Sequence, residues 1–101
     1  MNSPERRVRL SGRLICRNPD EAATVARLLP AHIALTRAEP GCISFAVERS
    51  DDPLIWNVEE LFSDADTFRA HQARAATSEW GRATRDIARD YGISGLDSME
   101  G

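Results

Sequence analysis

No hydrophobic run in this 101-residue sequence approaches the roughly 20 residues that a membrane-spanning helix needs. The N-terminal residues 1–9 are polar and contain arginine, and no long apolar stretch follows them, so we expect no signal peptide and a cytoplasmic protein. An excess of basic charge is also missing. The 13 basic and 16 acidic side chains give a formal net charge of −3. Neither a membrane nor a nucleic acid is therefore an expected partner.

Cysteine is scarce, and several catalytic motifs are missing. Cys16 and Cys42 are the only cysteines, they form no Cys-x-x-Cys pair and no histidine cluster accompanies them, so we expect no zinc site. The sequence also has no glycine-rich phosphate loop, no nucleophile elbow and no cluster of metal ligands. We accordingly expect no metal site.

The composition is that of a folded chain. Hydrophobic residues make up 42% of the sequence and charged residues 29%, which is too apolar for a disordered protein. The length predicts a single domain over residues 1–101, with a core from about 8 to 97. A domain of this size buries only about two-thirds of the surface that its unfolded chain exposes. Its stability is therefore marginal unless a partner covers more of it.

Alternation of apolar and polar residues predicts four strands, of which the last is weak. These strands are residues 8–16, 42–49, 54–62 and 91–96. Two of them are separated by the turn-forming residues 50–53 and would form a hairpin. Because the remaining connections are helical, the sequence predicts a ferredoxin-like split βαβ fold of the α+β class. In it, a four-stranded antiparallel sheet carries two main helices and a third helical segment on one face.

Helix-start signals place the first helix between Asn18, a capping residue followed by proline, and about Ala38. Pro30 lies inside this helix and should kink it. We expect one inner stripe formed by Val25, Leu28, His32 and Leu35. Ser63 is the predicted cap of the second helix, and a third helical stretch is predicted from Thr77 or Ser78 through Ala88.

The two faces of the predicted sheet differ in character. The apolar face, expected beneath the helices, contains Leu10, Leu14, Ile43, Phe45, Val47, Trp56, Val58 and Phe62. The other face mixes apolar residues with the charged or polar residues Arg9, Arg13, Glu48, Asn57 and Glu59. That face could be solvated, as antiparallel sheets allow, or it could pair with the same face of a second copy. We favour the homodimer, partly because the core is small.

Glu60 interrupts the apolar face, where an unpaired carboxylate is costly and tends to keep its proton. His71 follows the core-facing Phe68 by one helical turn and offers a partner. A carboxylate that orients an imidazole is the arrangement of a general base. The same pair could instead be a buried structural hydrogen bond, and the residues alone leave both interpretations open.

His32 shares the inner stripe of the first helix and is either a core histidine or a second polar group facing a cavity. Trp56 and Trp80 are either core residues or flat walls for a planar ligand. The five arginines of the last helices have no aromatic residues between them and predict a solvated face. They are Arg69, Arg74, Arg82, Arg85 and Arg89.

Three segments resemble the antibiotic biosynthesis monooxygenase family of small dimeric α+β barrel proteins. They are TRAEPGCISFAVERSDDP at 36–53, WNVEELFSD at 56–64 and FRAHQ at 68–72. The order and spacing of the Glu-Pro-Gly-Cys turn, the strand glutamate and the Ala-His pair carry the resemblance, which extends from Val8 to Ile93. It implies a homodimer whose sheets pack face to face, with a ligand cavity between sheet and helices in each subunit.

The resemblance implies a cofactor-free oxygenase that converts a small aromatic quinol or anthrone to a quinone. In such chemistry a base removes a proton and the electron-rich substrate anion reduces dioxygen. The expected catalytic residues are His71 as the base, Glu60 as its orienter and His32 as a second acid or base. The expected substrate-binding residues are Trp56, Phe45, Val58, Phe62, Phe68 and Trp80.

The sequence departs from the family at several positions. Haem-degrading members carry an asparagine on the first strand, where this sequence has Ser11 or Gly12, so haem is not expected. Ala75-Ala76-Thr77 follows His71 where many members have an aromatic residue or a second histidine, and Phe62 replaces a frequent tryptophan. The alternative function is a non-catalytic homodimeric module that holds a small molecule, in which Glu60 and His71 are purely structural.

Overall fold

A computed structural model of the chain describes residues 6–96. It contains four strands and three helices in the predicted order, and the expected end of the core at residue 97 lies outside the described residues. The elements are β1 (Val8–Ile15), α1 (Pro19–Arg37), β2 (Cys42–Arg49), β3 (Ile55–Phe62), α2 (Ala65–Thr77), α3 (Glu79–Ala83) and β4 (Ala88–Ser94).

The four strands form one sheet in the order β2-β3-β1-β4, and every neighbouring pair is antiparallel. This is the predicted ferredoxin-like topology, in which β1 lies between β3 and β4. Because β1 and β2 run in the same direction, Cys16 just after β1 and Cys42 at the start of β2 lie toward opposite ends of the sheet. Both cysteines are free.

The helix boundaries follow from local hydrogen bonding, and two of them differ from the prediction. Asn18 caps α1 as expected, since its side chain accepts a hydrogen bond from the Glu21 backbone N–H at 2.9 Å. The cap of α2 is Asp64 and not Ser63. The Asp64 carboxylate accepts from the Thr67 backbone N–H at 2.8 Å, and the Thr67 hydroxyl completes a capping box.

The third helix is shorter than predicted and the last strand begins earlier. Helix α3 ends at Ala83, and the Ile87 backbone N–H donates to the Thr84 carbonyl at 3.0 Å in a turn that leads directly into β4. Ala88 therefore starts a strand rather than ending a helix, three residues before the predicted start at Tyr91.

The predicted inner face of the sheet is largely confirmed as the core. Ile43 is the exception, because the register between β2 and β3 shifts at Cys42/Ser44 and leaves the Ile43 side chain 47% exposed. On α1, Leu35 is 55% exposed and the adjacent Thr36 is fully buried instead. The confirmed inner-face residues are Leu10, Leu14, Phe45, Val47, Trp56, Val58 and Phe62.

The opposite face of the sheet is open to solvent in the single chain. All five polar residues assigned to it are exposed: Arg9, Arg13, Glu48, Asn57 and Glu59. Some of them pair along the face, since Arg13 contacts Asp90 at 2.7 Å and Glu59 accepts a hydrogen bond from the Ser11 hydroxyl. Within residues 6–96, no helix has the length and apolar character needed to cross a membrane.

Candidate functional site

A cavity of about 340 Å³ lies between the helices and the sheet. Its apolar wall comes from β2, β3 and α3, through Phe45, Val47, Val58 and Trp80. Ionisable side chains from both the helices and the sheet also line it. These are His32, Glu60, His71, Arg85, Arg89 and Tyr91.

His71 is the most completely enclosed of these groups. Phe68 and His71 share the buried stripe of α2, which leaves the histidine 3% exposed. Its ring stacks on Phe62 with 5.1 Å between centroids, and Phe45 approaches it at 5.8 Å. These aromatic contacts restrict the imidazole to one orientation.

We predicted that Glu60 orients His71, but the carboxylate that does so is Glu39. Glu39 Oε1 lies 2.7 Å from His71 Nδ1, and Arg74 Nε donates to Glu39 Oε2 at the same distance of 2.7 Å. Glu60 Oε1 lies 3.9 Å from His71 Nε2, which is too far for a hydrogen bond. His71, Glu39 and Arg74 thus form a linear hydrogen-bonded chain.

This chain fixes the tautomer of the imidazole. A carboxylate can only accept, so Nδ1 of His71 carries the proton that Glu39 receives. In the neutral ring Nε2 then has a free lone pair, on the side that faces Glu60. His71 is therefore held in the form that can accept a proton at Nε2.

The ionisation of the pair suits a base at neutral pH. Burial opposes the charge on Glu39, but hydrogen bonds from Arg74 and His71 outweigh it and lower the pKa of Glu39. Burial also lowers the pKa of His71, although the Glu39 carboxylate partly opposes this change. At pH 7 Glu39 is consequently ionised and the His71 ring is neutral.

Glu60 has the opposite electrostatics. Burial on the inner face of β3, with a smaller contribution from the charge on Glu39, raises the pKa of Glu60 to about 7. Its Oε1 atom is buried and has no hydrogen-bond partner within residues 6–96. Near neutral pH this carboxyl group is available both as a proton donor and as an acceptor.

His32 lies on the α1 side of the same cavity. Its ring stacks on Trp80 with 4.5 Å between centroids and an interplanar angle of 8°. Burial, assisted by the positive charges of protonated His71 and of Arg74, lowers the pKa of His32 to about 4, so the ring is neutral at pH 7. The His32 and His71 rings lie 5.9 Å apart.

Comparison with known protein families identifies the family of this chain. The sequence pattern described as "Antibiotic biosynthesis monooxygenase" matches residues 17–83, about two-thirds of the chain. The chain belongs to the antibiotic biosynthesis monooxygenase family. A sequence search among curated proteins finds no match.

Solved structures of low sequence identity share the fold of this family member. Rv0793 from Mycobacterium tuberculosis is 23% identical, with a TM-score of 0.68 over 86% of this chain and 91% of that one. SnoaB from Streptomyces nogalater, described as a cofactor-independent oxygenase, is 21% identical, with a TM-score of 0.65 over 87% and 90%. MupZ from Pseudomonas fluorescens is 19% identical, with a TM-score of 0.71 over 100% and 77%.

Half of the predicted substrate-binding residues line the cavity of this family member. Phe45, Val58 and Trp80 do. Trp56 does not line it; this ring is buried elsewhere in the core, with the guanidinium carbon of Arg49 4.5 Å from its centroid. Phe62 and Phe68 do not line it either, and their rings pack edge to face with 5.8 Å between centroids.

The arginines assigned to a solvated face include three with defined positions at the site. Arg74 binds Glu39, and Arg85 and Arg89 line the cavity. Tyr91 was also missed, and burial raises the pKa of its hydroxyl to about 12. Arg89 and Tyr91 are two positions apart and share one face of β4. A strand predicted to start at Ala88 would therefore have placed both side chains on the same face. Within residues 6–96, no cluster of three or more His, Cys, Asp and Glu side chains is arranged to hold a metal ion.

Proposed function

We propose that this chain is a cofactor-independent monooxygenase that acts in the cytoplasm, as a homodimer, on a small aromatic quinol- or anthrone-like substrate. The observation that carries the proposal is the Glu39–His71 pair, which presents a neutral imidazole Nε2 to a cavity with aromatic walls. Membership of a monooxygenase family and the shared fold of an oxygenase support the same chemistry.

In the proposed reaction a CH₂ group of an anthrone-like ring is converted to a carbonyl. His71 Nε2 takes one proton, and the charge that remains on the substrate is delocalised over its ring. That carbanion reduces dioxygen and forms a C–O bond, and protonation gives a hydroperoxide. Removal of the second C–H proton breaks the O–O bond. One dioxygen thus yields one carbonyl oxygen and one water, and the substrate supplies all four electrons.

The chain's own residues have separate tasks in this scheme. His71 is the base, and Glu39 keeps its tautomer and orientation. Glu60 is suited to return a proton to the departing oxygen, because its pKa of about 7 leaves it partly protonated at neutral pH. The His32 ring lies 5.9 Å from the His71 ring, is stacked on Trp80, and supplies a second neutral imidazole to the cavity.

The proposed dimer uses the open face of the sheet. Arginine and glutamate side chains alternate there with partly buried apolar ones, so a two-fold axis can bring opposite charges together. The apolar members of this face are Ile15, Ala46, Ile55 and Leu61. A molar mass of two chains by light scattering supports this assembly, and a mass of one chain contradicts it.

Oxygen uptake with a panel of anthrones and hydroquinones tests the activity. With anthrones we expect substrate-dependent uptake of one dioxygen per quinone formed and no release of hydrogen peroxide. We also expect a loss of about 100-fold or more in His71→Ala, since a general base contributes 10²–10⁴-fold. Arg69→Ala on the exposed side of the same helix is the matched control and should retain the wild-type rate. Uptake at the uncatalysed rate across the panel, or full activity in His71→Ala, would contradict the proposal.

A further inference from the structure

The two arginines that line the cavity, Arg85 and Arg89, have no acidic partner among the described residues. Five other arginines form salt bridges, as Arg74 does with Glu39, but within residues 6–96 no carboxylate lies within 4 Å of the guanidinium of Arg85 or Arg89. Both line the cavity, Arg85 from the turn after α3 and Arg89 from the start of β4. Their two positive charges are therefore not neutralised by the protein.

Arg89 is nevertheless held in place. Its Nη1 donates to the backbone carbonyls of Thr84 at 2.7 Å and Ile87 at 2.9 Å, and its Nη2 donates to the Thr84 hydroxyl at 2.9 Å. All three acceptors are neutral, so these bonds fix the guanidinium without cancelling its charge. A cation that is positioned in advance loses little entropy when it binds an anion.

The sheet supports this position. Arg89 and Tyr91 alternate on β4, opposite Leu14 and Gly12 of β1. A side chain at Gly12 would meet the backbone of β4, because a Cβ atom there would lie 2.1 Å from the Asp90 carbonyl oxygen. Gly12 thus permits the close approach of β4, which carries Arg89 and Tyr91 at the cavity.

The rest of the cavity fits a flat apolar body. Phe45, Val47, Val58 and Trp80 line it. Among the described residues that line it, Glu60 is the only acidic one, set against two arginines. The cavity therefore combines an apolar slot with an excess of positive charge.

We propose that Arg85 and Arg89 form an anion subsite, and that the ligand of this cavity is a planar aromatic molecule with a carboxylate group. The inference deepens the proposed function, since it assigns the substrate class of the oxygenase to aromatic acids. As a statement about binding, however, it does not require turnover.

The test uses a pair of probes that cannot be oxygenated under the conditions of the assay. 2-Naphthoate and 2-naphthamide have nearly the same shape and differ in charge, and calorimetric titration of the full chain measures the affinity for each. We expect 2-naphthoate to bind about tenfold or more tightly than 2-naphthamide at low salt, and this preference to shrink as salt is added.

Variants locate the effect. Within residues 6–96 the Arg85 guanidinium makes no hydrogen bond or ion pair, so Arg85→Gln should weaken 2-naphthoate about tenfold while leaving 2-naphthamide unchanged. Arg89→Gln should act in the same way, with its folding checked by circular dichroism because of its bonds to Thr84. Arg69→Gln removes the same charge from an exposed site on α2 and should change neither affinity.

The outcomes separate the two proposals. Equal binding of both probes, no binding of 2-naphthoate, or an equal effect of Arg85→Gln and Arg69→Gln would overturn the anion subsite, whatever the oxygen-uptake assay shows. Selective binding of 2-naphthoate that Arg85→Gln abolishes supports it. That result would stand even if no anthrone or hydroquinone were oxygenated, which would contradict only the proposed activity.

Discussion

Two glutamates flank His71, and the protein treats them in opposite ways. Glu39, in the turn that follows α1, accepts hydrogen bonds from His71 and Arg74, which lower its pKa in spite of burial. Glu60, on the inner face of β3, has an unpartnered carboxyl oxygen, and burial raises its pKa to about 7. The comparison shows that charge-assisted hydrogen bonds can offset burial and keep one carboxyl group ionised, whereas burial without such bonds raises the pKa of the other.

This difference assigns the two carboxyl groups to different tasks. A permanently ionised group can hold an imidazole in one tautomer, whereas a group that titrates near neutrality can exchange a proton with a ligand. The imidazole between them has Nδ1 bound to the first group and Nε2 directed toward the second. Substitutions on the two sides of His71 should therefore have different consequences.

The largest effect is expected on the Glu39 side. Glu39→Ala removes the acceptor that fixes His71, and we expect oxygen uptake to fall about 100-fold, close to the loss of the base itself. Glu39→Gln should fall less, because its amide oxygen can still accept from Nδ1. Both should lower the pKa of His71, since the Glu39 charge raises it, and so move the acid limb of the rate profile to lower pH.

Glu79→Ala is the matched control for this prediction, since the Glu79 side chain is 72% exposed on α3. It should leave both the rate and its pH dependence unchanged. A Glu39→Ala variant that folds and keeps the wild-type rate would show that the Glu39–His71 bond is only structural.

The next largest effect is expected on the free energy of unfolding, through the ionisation of Glu60. Its pKa is raised from 4.5 to about 7, so between these pH values the folded chain keeps a proton that the unfolded chain releases. The free energy of unfolding therefore falls as pH rises through this window. Glu60→Gln cannot ionise, and its free energy of unfolding relative to wild type should grow by about 3 kcal/mol from pH 4.5 to 7.

Urea unfolding at a series of pH values measures this difference, and Glu79→Gln, at a side chain 72% exposed on α3, is the control. His32 acts with the opposite sign. Its pKa is lowered from 6.5 to about 4, so its neutral form contributes stability that is lost as pH falls through this range. In the wild type the two slopes oppose each other. A constant difference between Glu60→Gln and wild type across the window would refute the raised pKa.

The sequence predicted the fold well because its signals are local and periodic. Alternation located the strands, and Asn18-Pro19 located the start of α1. The errors arose where strand pairing shifts the register or where two neighbouring residues compete to cap a helix. A register shift at Cys42/Ser44 exposes Ile43, and Asp64 rather than its neighbour Ser63 accepts from the Thr67 N–H.

The site was predicted only in part, for a different reason. His71, Glu60 and His32 were identified because each is a polar residue on an apolar stripe, and all three line the cavity. Glu39 is separated from His71 by 32 positions. It belongs to the Glu-Pro-Gly turn, and the need for a turn was enough to explain that sequence. No periodic signal links the two, so only the tertiary fold, which places the turn between α1 and β2 beside α2, brings them together.

The smallest effect is expected for Arg74, which binds Glu39 on the side away from His71. Arg74→Gln removes one partly exposed ion pair to Glu39 and should lower the free energy of unfolding by about 1 kcal/mol. The His71–Glu39 bond remains, so we expect oxygen uptake to fall only a few-fold. Arg74 also lowers the pKa of His71, so its removal should raise that pKa and move the acid limb to higher pH, opposite to Glu39→Gln. Arg69→Gln controls for the lost charge. A shift of the acid limb in the same direction for both variants would show that His71 does not respond to the charges on Glu39 and Arg74 separately.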